Sequence, residues 1–334
     1  MQDLKNISFD ELKEVSNQLG FSTFKAKEIF KFIHQKLINS LDDLTTIKLE
    51  ERKKLKQSFC ISSITPTKTE KAKDTVKGAF QLEDGKIIEA VLMNYGRGRT
   101  TVCVSTQVGC PIGCKFCATG QMGFSRNLTT AEILSQVYFF ANKHKISNIV
   151  FMGMGEPFLN FDNSLKAGKI LNNESGLNIA SRKIVFSTIG IIPGIKKFAQ
   201  ESKQLRLAWS LVAPFDELRR KLIPYKGLAT IKETIKALQD YQKKSKRRIT
   251  IEYIVFKNLN DDERSLKELI EISRQLDSHV NLISFNPTAG NNFRSGDASE
   301  VMDRLKKLSP RLNVTIRASL GKEISAACGQ LAAV

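Results

Sequence analysis

Residues 103–117 read Cys103-Val-Ser-Thr-Gln-Val-Gly-Cys110-Pro-Ile-Gly-Cys114-Lys-Phe-Cys117. The stretch opens inside an apolar, β-branched run near 101–106 that predicts a strand. It then sets Cys110, Cys114 and Cys117 as C-x3-C-x2-C in a loop with Gly109, Pro111, Gly113 and Gly120, residues that let backbone wrap closely round a bulky object. Thiolates are the usual ligands of iron–sulfur clusters, which normally take four. Three ligands in one tight loop leave one iron of a cubane cluster open, and an open iron can chelate a substrate. Two plainer readings stand beside this one. A structural zinc would want a fourth Cys or His, and none lies nearby. Free buried thiols would need no partner.

Downstream, the pattern is strand, then helix, repeated. Apolar runs lie near 101–106, 148–152, 183–188, 206–212, 249–256, 280–285 and 313–318. Amphipathic stretches lie near 130–144, 162–172, 192–200, 216–242 (interrupted at Pro224), 262–276 and 298–308. The alternation implies an α/β fold with a parallel sheet, and seven strands with about six crossovers suit an open or partial (β/α)6 barrel. Sites in such sheets gather at the C-terminal ends of the strands. Upstream, 78–85 resembles a strand ending in an Asp-Gly turn, with 87–95 as the return strand of a bridging β-hairpin. Before it lies a helical module. Ser8 or Asp10 can cap a segment bearing Leu12, Val15 and Leu19, which Gly20 stops. A second segment carries Phe24, Ile29, Phe30, Phe32 and Ile33, and a third runs from Leu41 to Leu55. The expected divisions are a basic helical RNA-binding module over 1–60, a hairpin region over 61–102, and a core with a cysteine-bearing tail over 103–334.

Composition narrows the function classes. Hydrophobic residues make up 41% and charged residues 26%, which excludes global disorder. Lys and Arg number 52 against 34 Asp and Glu, a formal charge of +18, which argues for a polyanion such as nucleic acid. A solvated basic surface is the plain alternative. No stretch approaches the ~20 apolar residues of a membrane helix, and the start, Met1-Gln-Asp-Leu-Lys5, has no apolar signal core. A cytoplasmic protein without membrane contact is therefore expected. In that compartment six cysteines suit metal ligation or catalysis better than a disulfide framework. His34, His144 and His279 are too widely spaced for a histidine zinc site.

The cysteine triplet, with Phe116 before its last member, is similar to the radical S-adenosylmethionine (SAM) signature. More narrowly, 103–110, Phe151-Met-Gly-Met-Gly-Glu-Pro157 and Ala327-Cys-Gly-Gln-Leu331 resemble the RlmN/Cfr family of radical SAM RNA adenosine methyltransferases. The likeness runs over nearly the whole chain, including the helical module. It implies a radical-SAM partial barrel with a 4Fe–4S cluster on Cys110, Cys114 and Cys117, and SAM as cofactor. It implies that Gly155 and Glu156 bind the cofactor's amino group, and that Ser187, Asn286 and the segment Ser210-Leu211-Val212 contact SAM. The family commonly has His where this chain has Val212, a departure that touches the geometry of the site. Cys328 would be the methyl carrier and Cys103 its partner in a transient disulfide; each would otherwise be a structural thiol. Glu89 matches a family carboxylate that accepts a proton, although a strand Glu more often faces solvent. Cys60 has no motif around it.

By the same likeness, one SAM methylates Cys328 and a second, on the open iron, is cleaved to a 5′-deoxyadenosyl radical that removes hydrogen from that methyl. The carbon radical adds to adenine, and attack of Cys103 on the Cys328 sulfur releases the methylated base. The implied partners are 23S rRNA, with tRNA as a second substrate, and a low-potential electron donor such as flavodoxin or ferredoxin; a monomer is expected. Carbon 2 is the commoner family target. Carbon 8 is the alternative, tied to ribosomal antibiotic resistance, and Ser187-Thr-Ile-Gly-Ile-Ile192 resembles that branch. Other enzyme and binding classes remain: a radical enzyme acting on a peptide or small molecule, or a basic RNA-binding protein with structural zinc. If the charge serves RNA, rRNA affinity measured between about 50 and 200 mM salt falls steeply. Affinity indifferent to salt would return the charge to an ordinary solvated surface.

Overall fold

The computed structural model describes residues 1–202 and 204–332. The chain opens with helices α1 (Phe9–Gln18), α2 (Thr23–His34) and α3 (Leu49–Ser58). Ser8, rather than Asp10, caps α1: its side chain accepts from the Glu11 N–H at 3.3 Å while Glu11 accepts from the Ser8 N–H at 2.6 Å, a reciprocal capping box. Leu12, Ile29, Phe30 and Ile33 are buried between these helices, and Phe9 meets Phe30 edge-on with ring centroids 5.3 Å apart.

Ten strands form one sheet. They are β1 (Thr65–Ala72), β2 (Thr75–Gln81), β3 (Ile87–Asn94), β4 (Thr100–Cys103), β5 (Asn148–Phe151), β6 (Ile184–Thr188), β7 (Arg206–Ser210), β8 (Ile249–Val255), β9 (Ser278–Ser284) and β10 (Val314–Ile316). Each strand pairs with its neighbours in sequence. From β4 to β10 the pairing is parallel, and from β1 to β4 it is antiparallel. Helices fill the parallel crossovers: α4 (Thr130–Ala141), α5 (Phe161–Asn172), α6 (Ile192–Glu201), α7 (Asp216–Leu222) with α8 (Ile231–Ser245), α9 (Glu263–Arg274) and α10 (Ala298–Leu308). The break expected at Pro224 separates α7 from α8, which restarts on a Thr230/Glu233 capping box. All seven parallel strands expected from the sequence are present.

The hairpin differs from expectation in one respect. A third strand, β1, joins it, and together the three continue the main sheet through β4. Its sequence, Thr-Pro-Thr-Lys-Thr-Glu-Lys-Ala, has no apolar period because it is a solvent-facing edge. Charge and proline there discourage pairing with other chains.

Alternation along the strands divides the two faces. Phe151 and Phe186 stack with centroids 4.0 Å apart, and Phe186 continues to Phe198 on α6 and then Tyr241 on α8. On the opposite face Ser187, Ser210, Glu252 and Ile254 line a cavity. Among the described residues no helix is long and apolar enough to cross a membrane.

The amino-terminal module docks on α4 through a buried polar cluster. His34 Nδ1 and the Tyr138 hydroxyl lie 2.6 Å apart, and the buried Lys5 ammonium donates to the Ser62 carbonyl at 2.6 Å. Burial lowers the His34 pKa to about 3. The unfolded chain therefore takes a proton below about pH 6.5 that the folded chain refuses, and stability is lost as pH falls through that range. Denaturant unfolding at pH 6.5 and 5.5 should differ by about 1 kcal/mol more in the wild type than in His34→Gln. Equal pH dependence in both would contradict the assignment.

Candidate active site

Strand β4 ends on Cys103, and the chain then turns through Ser105 and Gln107 into the cysteine loop. Residues Gln107–Gly109 pair antiparallel with Phe124–Asn127, so the loop between them is closed at its base. Buried Asn160 fastens that base by donating to the Thr106 and Leu128 carbonyls, both at 2.7 Å. The close wrapping expected of the glycines is explicit. A Cβ on Gly120 would stand 2.7 Å from the Cys114 carbonyl oxygen and 2.8 Å from its nitrogen, and Gly109 has φ +73° with Gly123 against it. Phe116 packs edge-on against Phe256 with centroids 5.7 Å apart.

Cys110, Cys114 and Cys117 open on one cavity at the C-terminal ends of the strands, and Cys103 and Cys328 line the same cavity. All are free thiols. Burial pushes Cys110 up to about 12, raises Cys117, and raises Cys114 further still, with Cys117, Cys110 and Glu156 adding to its effect. Three thiols so placed ionise only against compensating positive charge, which iron supplies. Among the described residues no three His, Cys, Asp or Glu side chains form a group able to hold a single ion. A cluster has no such requirement, since each ligand takes a different iron. The donor set and the glycine cradle fit a cluster.

The Gly-Met-Gly-Glu-Pro turn after β5 lines the cavity with Gly153, Gly155 and Glu156. Its glycines also let protein pack closely behind it: a Cβ on Gly153 would meet Val104 backbone at 2.7 Å, and one on Gly155 would meet the Gln107 side chain at 2.6 Å. Gln107 also accepts from the Glu156 N–H at 2.8 Å and donates to Asn127 at 2.8 Å, tying this turn to the cysteine loop. The Glu156 carboxylate is buried and accepts from the Phe158 and Ile189 N–H groups, both at 3.0 Å. Burial raises its pKa to about 7 against those hydrogen bonds.

Ser187 and Ser210, on adjacent strands, place their hydroxyls 3.0 Å apart on the cavity wall. Leu211 is instead buried in the core and not part of the wall; its N–H donates to the Trp209 and Glu252 carbonyls at 2.9 and 3.1 Å. Val212 does line the cavity, with φ +66°, a strained conformation for a β-branched residue. Two buried side chains hold this segment in place. Asn260 donates to the Val212 carbonyl at 3.0 Å, and Arg219 donates to the Leu211 and Ile189 carbonyls at 3.0 and 2.8 Å.

The carboxy-terminal tail returns across the strand ends. Gly329 and Leu331 carbonyls accept from the Ala118 N–H at 2.8 Å and the Thr119 hydroxyl at 2.6 Å, just beyond Cys117. Asn286 donates to the Cys328 carbonyl at 3.1 Å, while its own buried Oδ1 has no partner among the described residues and remains an acceptor beside the cavity. Cys328 has accessible surface because it faces this cavity; protein surrounds it otherwise, and burial raises its thiol pKa. Glu89 is buried rather than solvent-facing, and it stands off the cavity wall. It accepts from the Ala332 N–H at 2.9 Å and pairs with Lys77 at 3.2 Å, so it tethers the tail.

Sequence reading missed Gln107, Asn160, Arg219, Glu252, Asn260 and Arg317. A signal existed for Glu252, a lone carboxylate within the apolar run Ile249-Thr-Ile-Glu-Tyr-Ile-Val255, and for Arg317, a cation ending the last strand.

Comparison with known proteins agrees with this arrangement. The Radical SAM superfamily model matches residues 104–270, and the model for the ribosomal RNA large subunit methyltransferase N-terminal domain matches residues 2–61. A probable dual-specificity RNA methyltransferase RlmN of Clostridium novyi is 41% identical over 339 residues, covering 99% of this chain and 98% of its own. Its namesake in Staphylococcus aureus is 40% identical over 341 residues, covering 99% of this chain and 93% of its own. The crystal structure of a radical SAM methyltransferase from Sphaerobacter thermophilus superposes with a TM-score of 0.92 at 38% identity, covering 100% of both chains.

The cradle can be tested directly. Gly120→Ala should reduce bound iron and ~400 nm absorbance after anaerobic reconstitution to below half of wild type, with far-ultraviolet circular dichroism unchanged. Full iron loading of Gly120→Ala would show that the loop tolerates a Cβ and is not a tight cradle.

Proposed function

The chain belongs to the RlmN family of radical SAM RNA methyltransferases, and on that premise we propose that it methylates carbon 2 of adenosine in 23S rRNA and in tRNA through a methyl group carried on Cys328. The observation that carries this reading is the return of the tail, which brings Cys328 into the cavity shared by Cys103 and the three loop cysteines. A radical SAM enzyme that acted directly on its substrate would have no use for a thiol held there.

In this reading Cys110, Cys114 and Cys117 hold the 4Fe–4S cluster, and the cluster with SAM supplies the one-electron chemistry that removes hydrogen from an unreactive methyl group. Glu156 receives the cofactor's ammonium group, whose charge offsets the burial of the carboxylate. Asn286 offers its unpartnered Oδ1, and Ser187 and Ser210 present hydroxyls on the adjoining wall. Val212 contributes shape and backbone but no imidazole. Glu89 fixes the end of the tail, so a proton-accepting role for it would require that tether to open. Residues 326–332 cross the strand ends beside the cysteine loop and leave Cys328 accessible from the cavity.

The substrate adenine must leave its stack to reach a thiol on the wall of this cavity, which favours folded RNA with an extruded base. The charge of +18 suits such a partner, with phosphate contacts positioning the RNA. A cytoplasmic monomer reduced by flavodoxin or ferredoxin completes the reading.

Mass spectrometry of rRNA and tRNA fragments treated with reconstituted enzyme should give 2-methyladenosine with wild type and none with Cys328→Ala. A methyl on carbon 8 would move the enzyme to the other branch of the family, and methylation by Cys328→Ala would exclude the carrier. Glu156→Gln should weaken SAM binding at least tenfold by equilibrium dialysis, since a neutral amide gives up the ion pair; unchanged affinity would remove Glu156 from the cofactor site.

A further inference from the structure

We propose that Arg317 is a further positioning residue for this reaction: its guanidinium, aimed by Glu252 into the cavity shared by Cys103 and Cys328, supplies the positive charge beside which Cys103 attacks the Cys328 sulfur. The inference rests on the methyl-cysteine reading above.

Arg317 is the first residue beyond β10, and its N–H donates to the Leu282 carbonyl at 2.9 Å, which fixes its backbone against β9. Its side chain points inward and is only 18% exposed; Nη1 stands 3.6 Å from a Glu252 oxygen and 2.8 Å from the Met152 sulfur. Glu252 is 8% exposed, and its other oxygen accepts from Asn281 at 2.9 Å. Both contacts are made by Nη1, to Glu252 at 3.6 Å and to the Met152 sulfur at 2.8 Å, and engage little of a five-donor fork, which leaves the guanidinium positioned rather than consumed. The charged and titratable groups facing Arg317 are Glu252, Cys328, Tyr95 and Cys103. Those facing Cys103 are Arg317 and Cys328.

The release step shows the need for this charge. Cys103, as thiolate, bonds to the Cys328 sulfur; the bond from that sulfur to the adenine-linked methylene breaks; and the electron pair stays with the carbon, which takes up a proton to become the methyl group. The two sulfurs are oxidised to a disulfide by the pair the carbon gains, so no further oxidant is required. Burial pushes Cys103 up to about 12, and Arg317 is the largest influence drawing it back. Without that fixed cation the thiolate, already a small fraction at neutral pH, would be scarcer still.

The test is the alkylation rate of Cys103 by iodoacetamide at pH 8.5, followed by peptide mass spectrometry on reduced, anaerobic holoenzyme in which the cluster ligands are protected. The rate follows the thiolate fraction. Arg317→Gln should slow it about tenfold, Arg317→Lys should stay within about threefold of wild type, and Glu252→Gln should speed it, because the guanidinium then faces the thiol without its counter-anion. Loosening of the fold would expose the thiol and speed alkylation in every variant, so slowing in Arg317→Gln separates charge from structure, and unchanged far-ultraviolet circular dichroism in Glu252→Gln is required before its speeding is read as charge. Alkylation of Arg317→Gln as fast as wild type would overturn the inference, as would a wild-type Cys103 that does not react. RNA methylation by wild type is assayed in parallel: its absence would overturn the function proposed above while leaving the thiol result to stand by itself.

Discussion

Burial opposes the ionisation of every thiol in the central cavity, and much of the architecture around it answers that constraint. Cys110, Cys114, Cys117, Cys103 and Cys328 share one space at the ends of the parallel strands. A thiolate there must be matched by positive charge or hydrogen bonds, or it reverts to a thiol. In the proposed reading the match for the loop cysteines is iron, and for Cys103 it is the guanidinium of Arg317. The supporting residues are placed to keep these partners fixed. Asn160 closes the base of the cysteine loop, Gln107 links that loop to the Glu156 turn, and Glu252 with Asn281 orients Arg317. Asn160 and Gln107 are uncharged amides bonded to backbone, which adds rigidity without burying further charge.

The second requirement is mechanical. The proposed methyl carrier, Cys328, lies in a turn rather than on a helix or strand. The tail gains its order from backbone hydrogen bonds to Ala118, Thr119 and Asn286, and from the Glu89 carboxylate on the Ala332 N–H. Three of these anchors lie beside proposed cluster or cofactor residues. Loss of the cluster loop would therefore loosen Cys328 as well, which makes the cavity a single cooperative unit rather than separate cofactor and carrier sites.

Much of this was legible in the sequence, for a definite reason. The parallel strands are buried apolar runs and the crossovers amphipathic helices, so periodicity alone located each of them. The cysteine spacing located the loop, and the family likeness supplied Cys328 and Cys103. What escaped notice lacks a local signature. Strand β1 is a polar edge whose partner, not its composition, makes it a strand. Arg317 and Glu252 lie 65 residues apart in number and meet only because β8, β9 and β10 are neighbours. The glycines of the Glu156 turn line the cavity, and their second task, accommodating Val104 and Gln107, has no local signature. Leu211 was grouped with its neighbours by motif, and strand alternation turns it into the core.

The most direct test of the account follows one carbon. Enzyme prepared with a deuterated methyl group on Cys328 is mixed with unlabelled SAM, reductant and an rRNA fragment for a single turnover, and the adenosine product is weighed. If Cys328 carries the transferred carbon into the cavity, the new methyl group retains deuterium. A product methyl without deuterium, formed while the label stays on Cys328, would contradict the account.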